Sequence, residues 1–206
     1  MISVSGMRDV EKRANDSGID DSIMMENAGA NAAKIVNGMF GLNHKKVLVF
    51  CGAGNNAGDG LVFARHALLF GAEVMIYFVK GEKLLKPLPM KNHEILKKLQ
   101  LAGRPVEFYK KVDTSMNADI LVDAMLGIGI KGKVSVEYEN AILLFNSMKG
   151  IKISMDCPSG IDADTGEILG AAVKPDATIT FHVRKPGLKK KNSGEIIVAG
   201  IGVPKF

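Results

Sequence analysis

The chain has 206 residues, of which 47% are apolar and 24% charged, a composition typical of a globular protein and not of a disordered one. Its net charge of +5 favours an anionic ligand but is too small to indicate nucleic-acid binding by itself. The longest stretch without Asp, Glu, Lys or Arg, residues 47–58, is too short for a transmembrane helix, so we expect no membrane partner.

The N-terminal segment, MISVSGMRDV, lacks a basic region followed by an apolar one, which predicts no signal peptide and a cytoplasmic location. The first forty residues predict two helices. Ser5 is placed to cap a short helix, and Asp20 or Asp21 to cap a longer one. Apolar residues recur near 3.6-residue spacing along the second helix, and Gly41 is placed to end it.

Beyond the second helix, short apolar runs alternate with helical patterns. The predicted strands are residues 47–51, 74–79, 106–109, 120–122, 151–155, 177–183 and 196–199. The predicted helices between them are residues 61–70, 90–101 and 137–148. This alternation predicts an α/β doubly wound sheet that is mainly parallel. We expect one domain over residues 1–206, with a helical extension over about 1–44 and an α/β core over about 45–206.

The first predicted strand leads into a glycine-rich loop, Gly52–Gly60. Glycines allow the backbone to approach a ligand closely, and the dipole of the following helix favours phosphate. The dinucleotide-binding pattern G-x-G-x-x-G/A is matched by Gly52, Gly54 and Ala57. The second strand, however, ends in Tyr77–Lys80 without the acid that would bind a ribose, and no Gly-Lys-Ser/Thr of a P-loop follows. A tight strand–helix turn without a ligand is the alternative.

Two later strands also end in acidic residues. Asp123 precedes a second glycine-rich segment, Gly127–Lys133, and either meets a cation or caps a turn. Asp156 opens the turn Asp156-Cys-Pro-Ser-Gly-Ile-Asp162, which carries Ser159 but is no nucleophile elbow. Because ligands bind at the carboxyl ends of parallel strands, Asp59, Asp123 and Asp156 are expected at one crevice. With Asn56 and Ser159 these side chains form an oxygen-rich set that suits a monovalent cation or Mg²⁺.

The remaining polar features carry weaker predictions. The basic segment 184–191 is predicted to be a solvated loop, with contacts to ligand phosphates as the alternative. Cys51 and Cys157 are predicted to be buried thiols, because two cysteines make no disulfide framework. The four histidines show no metal-ligand spacing.

Several ordered motifs resemble the NAD(P)HX epimerase family, also called the YjeF N-terminal domain. They are Met25–Gly29, CGAGNNAGDG (51–60), VDAMLGIGIKG (122–132), MDCPSGIDADTG (155–166), Gly194-Glu-Ile and Gly200–Pro204. The resemblance covers essentially the whole chain. It implies a three-layer αβα Rossmann-like fold with N-terminal helices, a homodimer, and interconversion of the R and S epimers of hydrated NADH or NADPH. The dehydratase domain that often follows in this family is absent here, so we expect either a stand-alone epimerase or an excised domain of a longer enzyme. In both cases the resemblance implies functional partnership with an NAD(P)HX dehydratase.

The resemblance also implies roles for particular residues. Substrate binding falls to Asn55, Asn56, Ala57, Gly58, Asp59, Gly127, Ile128, Gly129, Ile130, Lys131, Gly132, Lys133, Tyr138 and Asp156. One K⁺ ion per subunit falls to Asn56, Asp123 and Ser159. We assign general acid/base catalysis to Asp156, because inverting a carbon that bears both oxygen and nitrogen needs a proton donated and a proton removed.

One position departs from the family pattern, since Ala57 stands where a glycine is usual. Alanine would be strained there if the backbone needed a positive φ, but it is harmless if only a small side chain is required, which is the interpretation we favour. Two other functions compete with epimerisation. One is a non-catalytic nucleotide- or RNA-binding scaffold of the same fold. The other is an NAD(P) oxidoreductase, which Lys80 in place of an acid disfavours.

Overall fold

The computed structural model describes residues 1–204 and contains a seven-stranded parallel sheet in the order β3-β2-β1-β4-β5-β6-β7. The strands are β1 Lys46–Cys51, β2 Glu73–Phe78, β3 Val106–Tyr109, β4 Ile120–Ala124, β5 Ile151–Met155, β6 Ala177–Phe181 and β7 Glu195–Ala199. The chain order reverses between β1 and β4. This is the switch point at which a ligand crevice opens beyond the strand ends.

The helices cover both faces of this sheet. They are α1 Val4–Asp16, α2 Asp21–Phe40, α3 Asn55–Leu69, α4 Pro87–Leu101, α5 Val136–Ser147 and α6 Lys190–Ser193. Alternate residues of β1 point to opposite faces, so Val47 and Val49 pack in the larger core with α2 and α3, whereas Leu48 and Phe50 pack with α5. The result is the predicted three-layer α/β arrangement. No helix within residues 1–204 combines the length and apolarity needed to cross a membrane.

Helix α3 begins inside the glycine-rich segment, six residues earlier than its predicted start at residue 61. The glycines of this segment serve helix packing. A Cβ on Gly58 would lie 2.4 Å from Met25 Sδ, and one on Gly60 would lie 2.4 Å from the Cβ of Ala124. The first turns of α3 can therefore press against α2 and β4. Gly54 occupies the N-cap and offers no side-chain oxygen to the first N–H groups of the helix.

The N-terminal helices are tied to the sheet by long-range bonds. The cap of α1 is Ser3, which accepts from Gly6 N–H at 3.1 Å, and not Ser5 as predicted. Ile2 N–H donates to Arg184 O at 3.1 Å and Val4 N–H to Asp164 Oδ1 at 2.8 Å, so α1 lies beside the turns that follow β5 and β6. We retain the single domain as a proposal, because buried residues of α1 and α2 belong to the core of the sheet.

Helix α2 starts and ends as predicted, capped by Asp20 and terminated by Gly41 at φ 66°. Its Glu26 accepts hydrogen bonds from Arg65 and from His66, the latter at 2.8 Å, which joins α2 to α3. Several other predicted elements differ at their ends by one to three residues, and the largest of these differences are in β4, β6 and α4. Strand β4 extends through Asp123 to Ala124, strand β6 ends at Phe181 instead of residue 183, and α4 begins three residues early at Pro87.

Candidate functional site

A cleft of about 450 Å³ opens at the carboxyl ends of the strands, between the α1–α2 wall and the loops that follow β1, β4 and β5. The residues that line it are Met7, Arg8, Glu11, Asp21, Met24, Met25, Ala28, Gly54, Asn55, Asn56, Asp59, Lys86, Met125, Leu126, Gly127, Ile128, Gly129, Ile130, Asp156, Phe181, Lys185 and Ile201. The cleft thus combines an apolar wall of methionines with a polar floor, as is typical of small-molecule sites.

The start of α3 forms one end of the floor. Asn56 is buried, and neither its amide nitrogen nor its carbonyl oxygen has a hydrogen-bond partner in the described chain. A Cβ on Gly127 would lie 3.3 Å from the Cβ of Asn56, so the loop after β4 lies directly against this amide. A buried amide without a partner is costly unless a ligand supplies one. Asn56 is therefore placed to contact a group absent from the protein itself.

Beneath the cleft, Asp123 joins β4 to the turn after β5. Its Oδ1 accepts from Ser159 Oγ at 2.5 Å and from Met125 N–H at 3.2 Å, and its Oδ2 accepts from Ser159 N–H at 2.8 Å and Ser154 Oγ at 2.9 Å. Burial raises the pKa of Asp123, and these hydrogen bonds oppose the rise. The hydrogen bond from Met125 N–H caps the turn after β4, which is one of the two predicted roles of Asp123. Asp123 therefore caps this turn and also joins β4 to the turn after β5.

The prediction that three carboxylates share one crevice is therefore wrong for Asp123, which does not line the cleft. It lies within β4, where its side chain is enclosed and accepts hydrogen bonds from Ser154, Ser159 and Met125. Ser159 is also buried and completes a connection upward, since its Oγ accepts from Leu126 N–H at 2.9 Å. The turn after β5 and the loop after β4 are thus held together through one hydroxyl.

Asp156 is the central polar residue of the floor. Its backbone has φ 63°, a left-handed conformation that non-glycine residues adopt rarely and that often marks functional sites. Its Oδ1 accepts from Lys185 Nζ and from Phe181 N–H at 3.2 Å. Its Oδ2 accepts nothing from residues 1–204. The carboxylate is therefore fixed through one oxygen, which leaves the other for a ligand.

Lys185 corrects the prediction of a wholly solvated basic loop. Its side chain is fully buried, and Nζ also donates to Phe181 O at 2.8 Å and Thr180 Oγ1 at 3.2 Å. The loop is drawn inward because Gly187 N–H donates to Ala163 O at 2.8 Å, and a Cβ on Gly187 would collide with neighbouring backbone. Gly187 and Leu188 of this segment are also buried, whereas its other basic side chains, Arg184 and Lys189–Lys191, are exposed as predicted.

Four acidic residues line the cleft, and three of them, Glu11, Asp59 and Asp156, interact electrostatically with the buried Lys185 and with one another. Burial and the nearby Asp156 raise the pKa of Asp59 well above its ordinary value, and they raise the pKa of Glu11 as well. Mutual repulsion of this kind is typical of sites that move protons. Glu11 was missed in the sequence, although an acid at helical spacing between the apolar residues Met7 and Ala14 was a readable signal.

The structure brings part of the predicted substrate site together. Eight predicted residues line the cleft, namely Asn55, Asn56, Asp59, Gly127, Ile128, Gly129, Ile130 and Asp156. Those that do not line it are Ala57, Gly58, Lys131, Gly132, Lys133 and Tyr138, together with Asp123 and Ser159 of the cation set. Residues of the cleft that the sequence did not indicate include Arg8, Glu11, Lys86 and Lys185.

Ala57 and Tyr138 were predicted to bind substrate but lie outside the cleft, because both side chains are buried in the protein interior. Ala57 is buried in the core, within α3, and is not among the residues with positive φ. It is therefore unstrained, as we favoured. Tyr138 packs behind the glycine-rich segment, where its hydroxyl lies 3.1 Å from an ideal Cβ on Gly52 and its ring lies 5.1 Å from Lys80 Nζ.

Cys51 and Cys157 are both buried free thiols, as predicted. Across residues 1–204, no group of three His, Cys, Asp or Glu side chains is arranged to hold a metal ion. A cation at this site would therefore depend on amide, hydroxyl and main-chain oxygens besides a single carboxylate.

Comparison with known proteins supports the motifs. A family model described as YjeF-related protein N-terminus matches residues 21–187. The chain is 40% identical over 215 residues to an NAD(P)H-hydrate epimerase of Elusimicrobium minutum, covering 99% of this chain and 96% of the relative. It is 36% identical over 211 residues to an NAD(P)H-hydrate epimerase of Nitrosopumilus maritimus, covering 98% and 95%.

A longer relative matches equally well. The chain is 39% identical over 206 residues to a bifunctional NAD(P)H-hydrate repair enzyme of Archaeoglobus fulgidus, and it spans 99% of its own length but 42% of that relative. Among solved structures, yeast ynu0 (YNL200c) superposes with a TM-score of 0.78 at 23% identity, covering 97% of this chain and 86% of the yeast chain. That likeness confirms the predicted fold.

Proposed function

Because the chain belongs to the family of the YjeF-related protein N-terminus, we propose that it is an isomerase that interconverts the R and S epimers of hydrated NADH and NADPH. Two relatives named NAD(P)H-hydrate epimerase match almost from end to end. The observation that carries the proposal is the Asp156 carboxylate, which one buried lysine fixes at the floor of the cleft while one oxygen stays free for a ligand.

The reaction needs proton transfer and no redox partner. The inverted carbon of the hydrate bears a hydroxyl and the ring nitrogen, so one of these bonds must break and re-form on the other face. Each direction requires one proton donated and one removed. Asp156 is suited to this exchange, because Lys185 and Phe181 N–H occupy only Oδ1. Lys185 acts as a positioning residue that holds the carboxylate in place.

The substrate also carries a diphosphate. The first N–H groups of α3 have no side-chain cap and lie at the cleft, where the helix dipole favours an anion. Main-chain groups of Gly127–Ile130 line the same region. We extend the proposed binding loop to Lys131, Gly132 and Lys133, because the positive charges of the two lysines suit phosphate, although the Lys133 side chain packs near Gly170. Ala57, Gly58 and Tyr138 do not line the cleft, and their proposed role is to support the substrate-binding loops by packing behind them.

A K⁺ ion fits the donor set beneath the cleft. Asn56 offers a buried carbonyl oxygen without a partner, Asp123 supplies one negative charge, and Ser159 links Asp123 to the loop after β4. Hard oxygen donors of this mixed kind suit a weakly charged cation. We propose that these three residues hold K⁺, which would add a fixed positive charge near the substrate. The hydrogen bonds of Ser159 to Leu126 and Asp123 hold the loop after β4 and the turn after β5 in a fixed relative position.

We also propose a functional partner, an oligomeric state and a location for the enzyme. The named bifunctional relatives are more than twice as long as this chain, which supports a second repair activity that acts on the same damaged cofactor. We propose that this partner is a dehydratase that consumes one of the epimers. A homodimer and a cytoplasmic location are further proposals that follow from the family resemblance.

The proposal is tested by epimer exchange. Hydrated NADH enriched in the R form is incubated in K⁺ buffer with and without protein, and the R-to-S ratio is followed by NMR. We expect acceleration over the buffer blank, and a loss of about 10²–10⁴-fold in Asp156→Asn with binding of intact NADPH changed by less than about tenfold. Folded wild-type protein that binds NADPH without accelerating exchange would refute the proposal and favour a scaffold.

A further inference from the structure

Helix α1 presents one acidic residue on its inward face. Met7 and Ala14 on this face are 2% and 0% exposed, and Glu11 lies between them at helical spacing. The helix is held in this orientation by the bonds from Ile2 and Val4 to the turns that follow β6 and β5. Glu11 is thereby directed at the cleft from the wall that faces Asp156.

Glu11 has no structural partner. In the part of the chain that the structure describes, its carboxyl group accepts no hydrogen bond and forms no ion pair, and it is half-buried. A carboxylate placed among apolar neighbours without donors destabilises the fold. Burial, followed by the charges of Asp156 and of Asp21 on α2, raises the pKa of Glu11, whereas Lys185 and Arg8 only partly oppose this. A half-buried carboxyl group that has no protein partner and lines a ligand cleft indicates a functional role.

We propose that Glu11 is the second proton-transfer residue of the epimerisation, working from the α1 wall while Asp156 works from the sheet edge. This inference rests on the proposed function. A single carboxylate serves both faces of a substrate ring poorly, because it cannot reach each face at hydrogen-bond distance. Two carboxyl groups on different walls of one cleft, linked by mutual repulsion, supply one acid and one base.

The chemical steps balance without a redox partner. One carboxylic acid donates its proton to the ring hydroxyl, the C–O bond breaks, and water leaves while the nitrogen lone pair forms a C=N bond and carries the positive charge. Water then adds to the opposite face, the electron pair returns to nitrogen, and the other carboxylate takes the released proton. Proton exchange with solvent restores the starting state of Glu11 and Asp156.

The test compares Glu11→Gln with Asp9→Asn, an exposed acid on the same helix. We expect Glu11→Gln to lower kcat for epimer exchange about 10²-fold or more with KM nearly unchanged, Glu11→Asp to recover part of the rate, and Asp9→Asn to match wild type. The pH profile of kcat should be bell-shaped in the wild type and lose one limb in Glu11→Gln. Reaction in ¹⁸O-labelled water should place ¹⁸O in the inverted product.

Other results would overturn the inference. An active wild type with an unaffected Glu11→Gln variant refutes it while leaving the epimerase standing, whereas an inactive wild type refutes the epimerase. A variant that raises KM but keeps both limbs of the profile assigns Glu11 to binding only. If Glu11→Gln does not fold by circular dichroism, the wild-type profile decides, since a single limb excludes two proton-transfer groups.

Discussion

Replacing Lys185 with Met tests whether the buried ion pair holds the site together. The side chain of Lys185 is fully buried, while that of Asp156 is 12% exposed. Removing the cation leaves the Asp156 carboxylate without its countercharge, and it leaves Thr180 Oγ1 and Phe181 O without the donor Lys185 Nζ. Loss of one partner of a buried pair costs about 3–5 kcal/mol of unfolding free energy. Because Asp156 keeps some solvent contact, we expect the lower end, about 3 kcal/mol.

For a chain of this length, a loss of about 3 kcal/mol corresponds to a fall in Tm of roughly 6–12 °C. The assay is urea unfolding followed by circular dichroism, with Lys191→Met as the matched control because Lys191 is exposed on the same segment. The control should stay within about 0.5 kcal/mol of wild type. The double variant Lys185→Met with Asp156→Asn should recover much of the loss, because no unpaired charge remains.

Equal stabilities of Lys185→Met and Lys191→Met would refute this reasoning. That result would mean that the Asp156 carboxylate is not held by Lys185, and the positioning role proposed for the lysine would fail with it. A double variant no more stable than Lys185→Met would show that the cost comes from repacking and not from the unpaired charge.

Three further outcomes are expected. Gly60→Ala should lower the unfolding free energy by about 1–3 kcal/mol in urea melts, because its Cβ would meet Ala124 at 2.4 Å, whereas Gly38→Ala, which meets nothing, should not. Burial opposes ionisation of Glu26, but its bonds to cationic side chains of α3 prevail and lower the pKa below 4.5. The ionised Glu26 carboxylate therefore contributes fully to folding stability above pH 4.5, and this contribution is lost as the pH falls through the lowered pKa. The unfolding free energy of Glu26→Gln should accordingly depend less on pH in this acidic range. Replacing choline chloride with KCl at constant ionic strength should raise the Tm of the wild type but not of Asn56→Ala.

The sheet could be read from the sequence because its strands are short apolar runs with polar boundaries. The bounds of β3 and β5 agree with the prediction residue for residue, and the other strands differ by one or two positions at their ends. Such strands are buried on both faces, so their hydrophobicity is a local property of the chain. The carboxyl ends then follow from topology, which is why Asp59 and Asp156 were placed at one cleft.

The residues that the sequence did not reveal depend on contacts distant along the chain. Lys185 is buried only because Asp156, 29 residues earlier, receives its charge. Glu11 reaches the cleft only because Val4 N–H bonds Asp164, 160 residues away. The segment of Lys185 carries no periodic trace of its contact, and the helical spacing of Glu11 does not show which part of the protein that face of α1 meets, so the sequence favoured a solvated basic loop and an ordinary amphipathic helix.

The glycines of the glycine-rich segment have a packing role that their sequence pattern does not indicate. Gly58 and Gly60 belong to the segment in which glycines were expected to let the backbone approach a ligand, yet both lie inside α3 and allow it to press against Met25 and Ala124. Close packing of α3 is what buries Asn56 beside Gly127 and leaves its amide without a protein partner. The glycines therefore act on the ligand indirectly, by fixing the helix whose first turn forms the floor. The proton transfer that we propose is assigned to Glu11 and Asp156, which lie outside that segment.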